Sequence, residues 1–189
     1  FDYCAHMFVL KKKYFFIVLN KKNINLVNIK NINKFNIIYR SNKIKDKTNE
    51  LLRFREKCKR KRITFYVANH LKLFRSLKAD GLYISAYNKS FKYRYLKNLK
   101  GKIIGSAHNI SEIALKKNQG CSIIFLSRLF KTNYKNKETY LGLIRYNLHP
   151  FKNILSPLGG INRSNLNYLK NIKSDSLALS SAFVSDDLI

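Results

Sequence analysis

Short apolar runs recur along the chain at Tyr14–Leu19, Asn36–Tyr39, Thr64–Ala68, Gly81–Ile84, Lys102–Ile104, Ser122–Leu126, Ile154–Leu158 and Ser176–Leu179. Each is four to six residues long or nearly so, too short for a helix. They are also mostly apolar instead of alternating, which is how strands covered on both faces read. The segments between them carry helical spacing. Over 49–59, Leu51, Leu52, Phe54, Arg55 and Cys58 fall near one stripe. Over 109–119, Asn109 and Glu112 have the spacing of a capping box, Ile110, Ile113, Ala114 and Leu115 supply a face, and Gly120 is a stop. The stretch 163–171 repeats the pattern with Leu166 and Leu169. Strands alternating with helices imply a parallel sheet with right-handed crossovers. Eight such units predict an α/β fold, a closed (β/α)8 TIM barrel, with a doubly wound sheet as the alternative.

Length sharpens that expectation. At 189 residues the chain is short beside the roughly 250 typical of such barrels. The loops must then be short, and truncation at both ends is expected. Residues 8–189 read as one barrel domain. The first methionine is Met7, so 1–7 read as a non-native or fragment start.

Composition changes the picture less than its numbers suggest. The formal net charge is +28, from 38 Lys and Arg against 10 Asp and Glu. Yet 28 lysines, 22 asparagines and 20 isoleucines share AT-rich codons, so much of the basicity is a codon-bias background. An apolar fraction of 46% with 13% aromatics supports a packed core and argues against disorder. Cys4, Cys58 and Cys121 are widely spaced without a zinc or CxxC pattern, as expected of thiols in a reducing compartment. No stretch approaches the roughly 20 apolar residues of a membrane span, and a cytoplasmic location is expected. The cluster Arg53, Arg55, Lys57, Lys59, Arg60, Lys61 and Arg62 resembles a nucleic-acid patch. On an outer helix it reads better as a solvated face.

In a TIM barrel, chemistry sits at the C-terminal ends of the strands. Those positions here are Arg40, Asn69 and His70, Ser85 to Asn88, Ser106 to His108, Arg128 to Lys135, Gly159 and Gly160, and Ser180 and Ser181. The set is polar, hydroxyl-rich and cationic, and it suits an anionic ligand. Gly159 and Gly160 follow the seventh run and Ser180 and Ser181 the eighth, where this fold commonly cradles phosphate.

Five segments in order, Ala79 to Ile84, Ile103 to Asn109, Leu129 to Lys135, Leu158 to Asn162 and Leu179 to Phe183, resemble the thiamine phosphate synthase and thiazole tautomerase family. The resemblance covers about residues 60–185 and is carried by layout alone over 14–60. It implies a transferase that joins hydroxymethylpyrimidine pyrophosphate to thiazole phosphate and releases pyrophosphate. Arg40, Asn69, Thr132, Asn133 and Lys135 would bind the pyrophosphate, Ser106 would face the pyrimidine, and Gly159, Gly160, Ser180 and Ser181 would hold the thiazole phosphate. The implied cofactor is Mg²⁺. Here, however, His70 and Asn88 stand at the expected carboxylate positions, and magnesium favours charged oxygen ligands. Tyr83 replaces a motif histidine and Ser127-Arg128 a Gly-Pro. In the tautomerase branch His108 would be the acid-base group, its intrinsic pKa near neutral being suited to that work. The alternatives are therefore a metal-independent thiazole tautomerase and a non-catalytic protein binding a phosphorylated ligand or nucleic acid.

Overall fold

Successive residues of a strand point to opposite faces of its sheet, so a run apolar on both faces must be covered on both. A computed structural model, which describes residues 12–21, 24, 26, 34–41, 47–99, 102–132 and 139–180, satisfies this by closing the sheet on itself. Its strands are β1 Lys13–Val18, β2 Phe35–Tyr39, β3 Thr64–Ala68, β4 Gly81–Ile84, β5 Lys102–Ala107, β6 Ile123–Ser127, β7 Leu155–Leu158 and β8 Ser176–Ser180. They are parallel, lie in chain order, and form a closed barrel. The ring closes by pairing β1 with β8, from Lys13 opposite Ser176 to Ile17 opposite Ser180.

The alternation divides the core in two. Phe15, Ile17, Ile38, Tyr66, Tyr83, Ile104, Phe125 and Ala178 pack together in one buried cluster, the barrel interior. Their neighbours Tyr14, Phe16, Val18, Ile37, Tyr39, Phe65, Val67, Leu82, Ile84, Ile103, Ile124 and Leu126 form the second cluster, together with helix residues. Inside the barrel Phe125 meets Phe15 edge-on at 5.1 Å between ring centres.

Among the described residues four α-helices flank the strands: α1 Thr48–Arg60, α2 Leu71–Ser76, α3 Ile110–Asn118 and α4 Gly142–Asn147. Helix α1 buries Leu51, Phe54, Arg55 and Cys58, a stripe at i, i+3, i+4 and i+7. Arg55 thus departs from the solvated-face expectation for the basic cluster. Its Nη2 donates to Asp80 Oδ1 at 2.8 Å, while Asp80 Oδ2 accepts the Phe65 N–H at 2.7 Å. In α3, Asn109 caps as expected, accepting the Glu112 N–H at 2.9 Å. The reciprocal half of the capping box is displaced by one residue, because Glu112 Oε2 accepts from His108 N at 2.7 Å. Gly120 follows with φ +87°.

Sequence spacing misses α2 and α4, which have six residues each. In α4 the large apolar residue Ile144 is 76% exposed and Leu148 beyond it 77%, so no inward stripe is visible. The α-helix expected over 163–171 is a 3₁₀ helix, Arg163–Asn171. Leu166, Leu169 and Ile172 recur every third residue, the spacing that eclipses side chains in a 3₁₀ helix. Short 3₁₀ turns also occupy Arg94–Leu99 and Lys152–Ile154. No described helix is long and apolar enough to cross a membrane.

Candidate anion-binding site

Strand alternation carries the inward face upward from Ile38 to Arg40, from Tyr83 to Ser85, from Ile104 to Ser106 and from Phe125 to Ser127. A cation and three hydroxyls therefore succeed the apolar interior at the C-terminal mouth. Arg40 is fixed by its N–H bond to the Val18 carbonyl at 2.8 Å. With Tyr39, Ser41, Asn69, His70 and Tyr87 it lines a cavity of about 280 Å³.

Asn69 organises one wall. Its φ of +55° is left-handed, a conformation that asparagine tolerates better than most residues. Its Nδ2 donates to Ser85 Oγ at 2.7 Å and to Tyr87 Oη at 3.1 Å. Its Oδ1 accepts from Ser85 N at 3.1 Å and from Asn88 Nδ2 at 3.0 Å. Its carbonyl accepts the Tyr93 hydroxyl at 2.9 Å. The loop after β4 is thereby tied to the end of β3.

The same loop reaches the next strand. Ser106 Oγ accepts from Ala86 N at 3.0 Å and from Tyr83 Oη at 2.8 Å, leaving its own proton for another acceptor. Tyr83 is fully buried. Burial pushes its phenol pKa upward, with Arg40 and the Ser106 bond opposing. The hydroxyl is accordingly a proton donor throughout the neutral range.

Arg40 and Asn69 thus share one cavity, and Ser106 joins them through the β4 loop. His70 lines the cavity too, but its Nδ1 accepts the Leu73 N–H at 3.0 Å and caps α2. Across the mouth, Thr132 accepts from Arg128 Nη1, and the Ser127–Arg128 peptide is cis. Gly159 and Gly160 have φ of +91° and +72°. A Cβ on Gly160 would overlap the Phe130 carbonyl, and Phe130 N donates to Gly159 O at 3.1 Å. The pair is thus required where the loops after β6 and β7 touch. Ser180 ends β8; Asn133, Lys135 and Ser181 lie outside the described residues. His108, with its side chain 57% exposed, pairs with Glu112 at 3.1 Å and does not line the cavity.

Sequence reasoning assigned no role to Tyr87, Lys116 or Gln119. Tyr87 is 66% exposed on the cavity rim. Lys116 and Gln119 are both 0% exposed and reach the β4 loop from the α3 side. Their signal was present in the sequence: two polar residues three apart on the same helix face as Ile113.

The strands define a parallel (β/α)8 barrel with a polar cavity at the C-terminal ends of β2 and β3. The model of the family described as thiamine monophosphate synthase matches residues 31–183, and the chain belongs to that family. Among curated relatives, the thiamine biosynthesis bifunctional protein ThiED of Geobacter sulfurreducens is 30% identical over 155 residues, covering 79% of this chain and 32% of the relative. The thiamine-phosphate synthase of Prochlorococcus marinus strain SARG is 27% identical over 132 residues, covering 67% and 38%. The chain therefore spans less than two fifths of the length of either relative. Thiamine phosphate pyrophosphorylase from Pyrococcus furiosus superposes with a TM-score of 0.67 at 17% identity, covering 94% of this chain and 90% of that one. A truncated 3-deoxy-D-arabino-heptulosonate 7-phosphate synthase from Thermotoga maritima gives 0.61 at 13%, covering 89% and 74%. At those identities the solved structures establish the barrel.

Proposed function

We propose that this chain couples hydroxymethylpyrimidine pyrophosphate to thiazole phosphate in a reducing, cytoplasmic setting. The observation that carries the reading is the single cavity in which Arg40 and Asn69 meet, joined to Ser106 through the β4 loop. The pyrimidine's methylene C–O bond breaks and its electron pair leaves with pyrophosphate. The thiazole nitrogen then supplies the pair for the new C–N bond. Negative charge grows on the departing oxygen, and preorganised donors at that point lower the barrier.

Arg40 is the cation placed for that oxygen, with Thr132 and Lys135 assigned to the same group. Asn69, its amide committed to the β4 loop, sets the cavity wall and orients Tyr87. The Tyr87 hydroxyl accepts from Asn69, so its proton is free to bind phosphate oxygen. Ser106 presents a proton to an acceptor on the pyrimidine. Gly159, Gly160, Ser180 and Ser181 hold the thiazole phosphate. The free, buried thiols of Cys58 and Cys121 support the reducing compartment.

The residues present do not fit magnesium. At the expected carboxylate positions stand a helix-capping histidine and an asparagine. Among the described residues no group of three or more His, Cys, Asp or Glu could hold a metal.

Purified protein incubated with both phosphorylated precursors should form thiamine phosphate, followed by chromatography. Arg40→Gln should lower the rate by about tenfold to a hundredfold, the value of one charge-assisted contact. No product from the wild-type chain sinks the synthase reading. The His108–Glu112 pair favours a second reading, a thiazole tautomerase. In that case His108→Ala abolishes tautomerisation of the thiazole, whereas under the synthase reading coupling persists.

A further inference from the structure

Lys116 is wholly buried, and no carboxylate is among its hydrogen-bond partners here. Its Nζ donates to the Asn88 carbonyl at 2.8 Å and to Gln119 Oε1 at 2.9 Å. Gln119 Nε2 donates to the Asn88 carbonyl at 2.9 Å and to the Ser90 carbonyl at 3.0 Å. A buried ammonium without a counter-charge is costly unless its geometry is well satisfied. Burial pulls its pKa below the usual lysine value, with Cys121 and Glu112 acting against that pull. Three donor bonds from the last turn and C-cap of α3 thus converge on the loop that carries Asn88.

The amide oxygens where that loop meets Asn69 are already hydrogen-bonded. Asn88 Oδ1 accepts from Ser90 N at 3.0 Å. Asn69 Oδ1 accepts two donors, Ser85 N and Asn88 Nδ2. His70 Nδ1 holds the Leu73 N–H. Magnesium demands several oxygen ligands in near-octahedral array, usually including carboxylates, and the ammonium of Lys116 donates to the carbonyl of Asn88 itself. Both the donor set and the local charge oppose a dication.

We infer that this cavity binds the phosphate or diphosphate group of its ligand without a divalent cation, Lys116 and Gln119 holding the Asn69–Asn88 amide pair in place of a metal site. The inference rests on the reading of the cavity as the pyrophosphate end. Lys116 and Gln119 are positioning residues, since they touch the loop and not the ligand. Arg40 then remains the principal charge facing the anion.

The test is calorimetric titration of the full chain with inorganic pyrophosphate, in EDTA and in excess Mg²⁺, corrected for the Mg–pyrophosphate complex. Affinity should agree between the two conditions within about threefold, under 1 kcal/mol. Tightening by Mg²⁺ of about tenfold or more, or no binding in either condition, overturns the inference. His70→Asp with Asn88→Asp restores two carboxylates, and the first of these substitutions keeps a side chain able to cap α2. In that double variant Mg²⁺ should tighten binding by about tenfold or more, and indifference to Mg²⁺ overturns the assignment of these positions. Lys116→Met should weaken pyrophosphate about fivefold in EDTA and leave thiazole phosphate unaffected. Equal loss at both ends, or none, overturns the positioning role. Failure of coupling alongside metal-independent pyrophosphate binding removes the synthase reading and leaves this inference standing.

Discussion

At Gly160 one residue serves two purposes that sequence alone could not separate. The Gly159-Gly160 dipeptide reads as a phosphate cradle, and glycine lets the backbone approach oxygens closely. Its φ of +72° and the clash a Cβ would make with the Phe130 carbonyl show that glycine is also needed to join two loops. Gly160→Ala should therefore destabilise the chain by more than the roughly 1–2 kcal/mol of left-handed strain alone. A urea melt reads the loss directly, and an unchanged midpoint would show that the two loops can part. His70 teaches a similar lesson. It looked like a damaged metal position, and its imidazole proves to be a helix cap.

Among the elements, the strands were legible because closing a parallel barrel demands apolar residues on both faces, and codon bias cannot disguise that. Thr64–Ala68 and Gly81–Ile84 end where the pattern ends. Helices fared according to how much apolar surface they turn inward. Helix α1 has a full stripe and was visible, α4 has Tyr146 alone buried and was not. The site divides likewise. Arg40, Asn69 and Ser106 were singled out because strand ends are privileged positions in this fold, and Arg40 and Asn69 line one cavity. Lys116 and Gln119 were passed over although their spacing is visible in the sequence, because a buried lysine is rare and the loop groups they hold are backbone carbonyls of Asn88 and Ser90, which no side-chain pattern announces. Helix α3 also offers a direct measurement. Asn109→Ala removes its cap and should cost about 1 kcal/mol in chemical denaturation. Asn109→Asp, which can still accept the Glu112 N–H, should recover most of it.

For the molecule as a whole, burial of the two described cysteines sets an alkaline limit on stability. Desolvation pushes the Cys58 and Cys121 thiols from 9.0 up to about 12. Above pH 9 the unfolded chain sheds these protons while the folded chain keeps them, so folding stability declines as pH rises from 9 towards 12. Below 9 the contribution is complete. Cys58→Ala should show a smaller drop in urea midpoint between pH 7 and pH 10 than the wild-type chain, whereas equal drops would contradict a buried, protonated thiol. The +28 charge bears on the same scale. Arg55 is drawn into the core by Asp80, and Lys116 into the loop support, so part of a seemingly generic cationic background has structural work.

Closure of the barrel has a kinetic side. The β1–β8 seam joins parts of the chain some 160 residues apart, where Lys12 Nζ also donates to Ile172 O at 2.7 Å and Ser174 O at 2.8 Å. Adjacent strands pair through local crossovers, whereas this seam waits for the longest loop to close and bears its entropic cost. Until then the sheet presents two unpaired rims able to template association with other chains. During that interval the strong positive charge keeps neighbouring chains apart, which gives the basic composition a role while the protein is being made, whatever ligand the finished barrel holds.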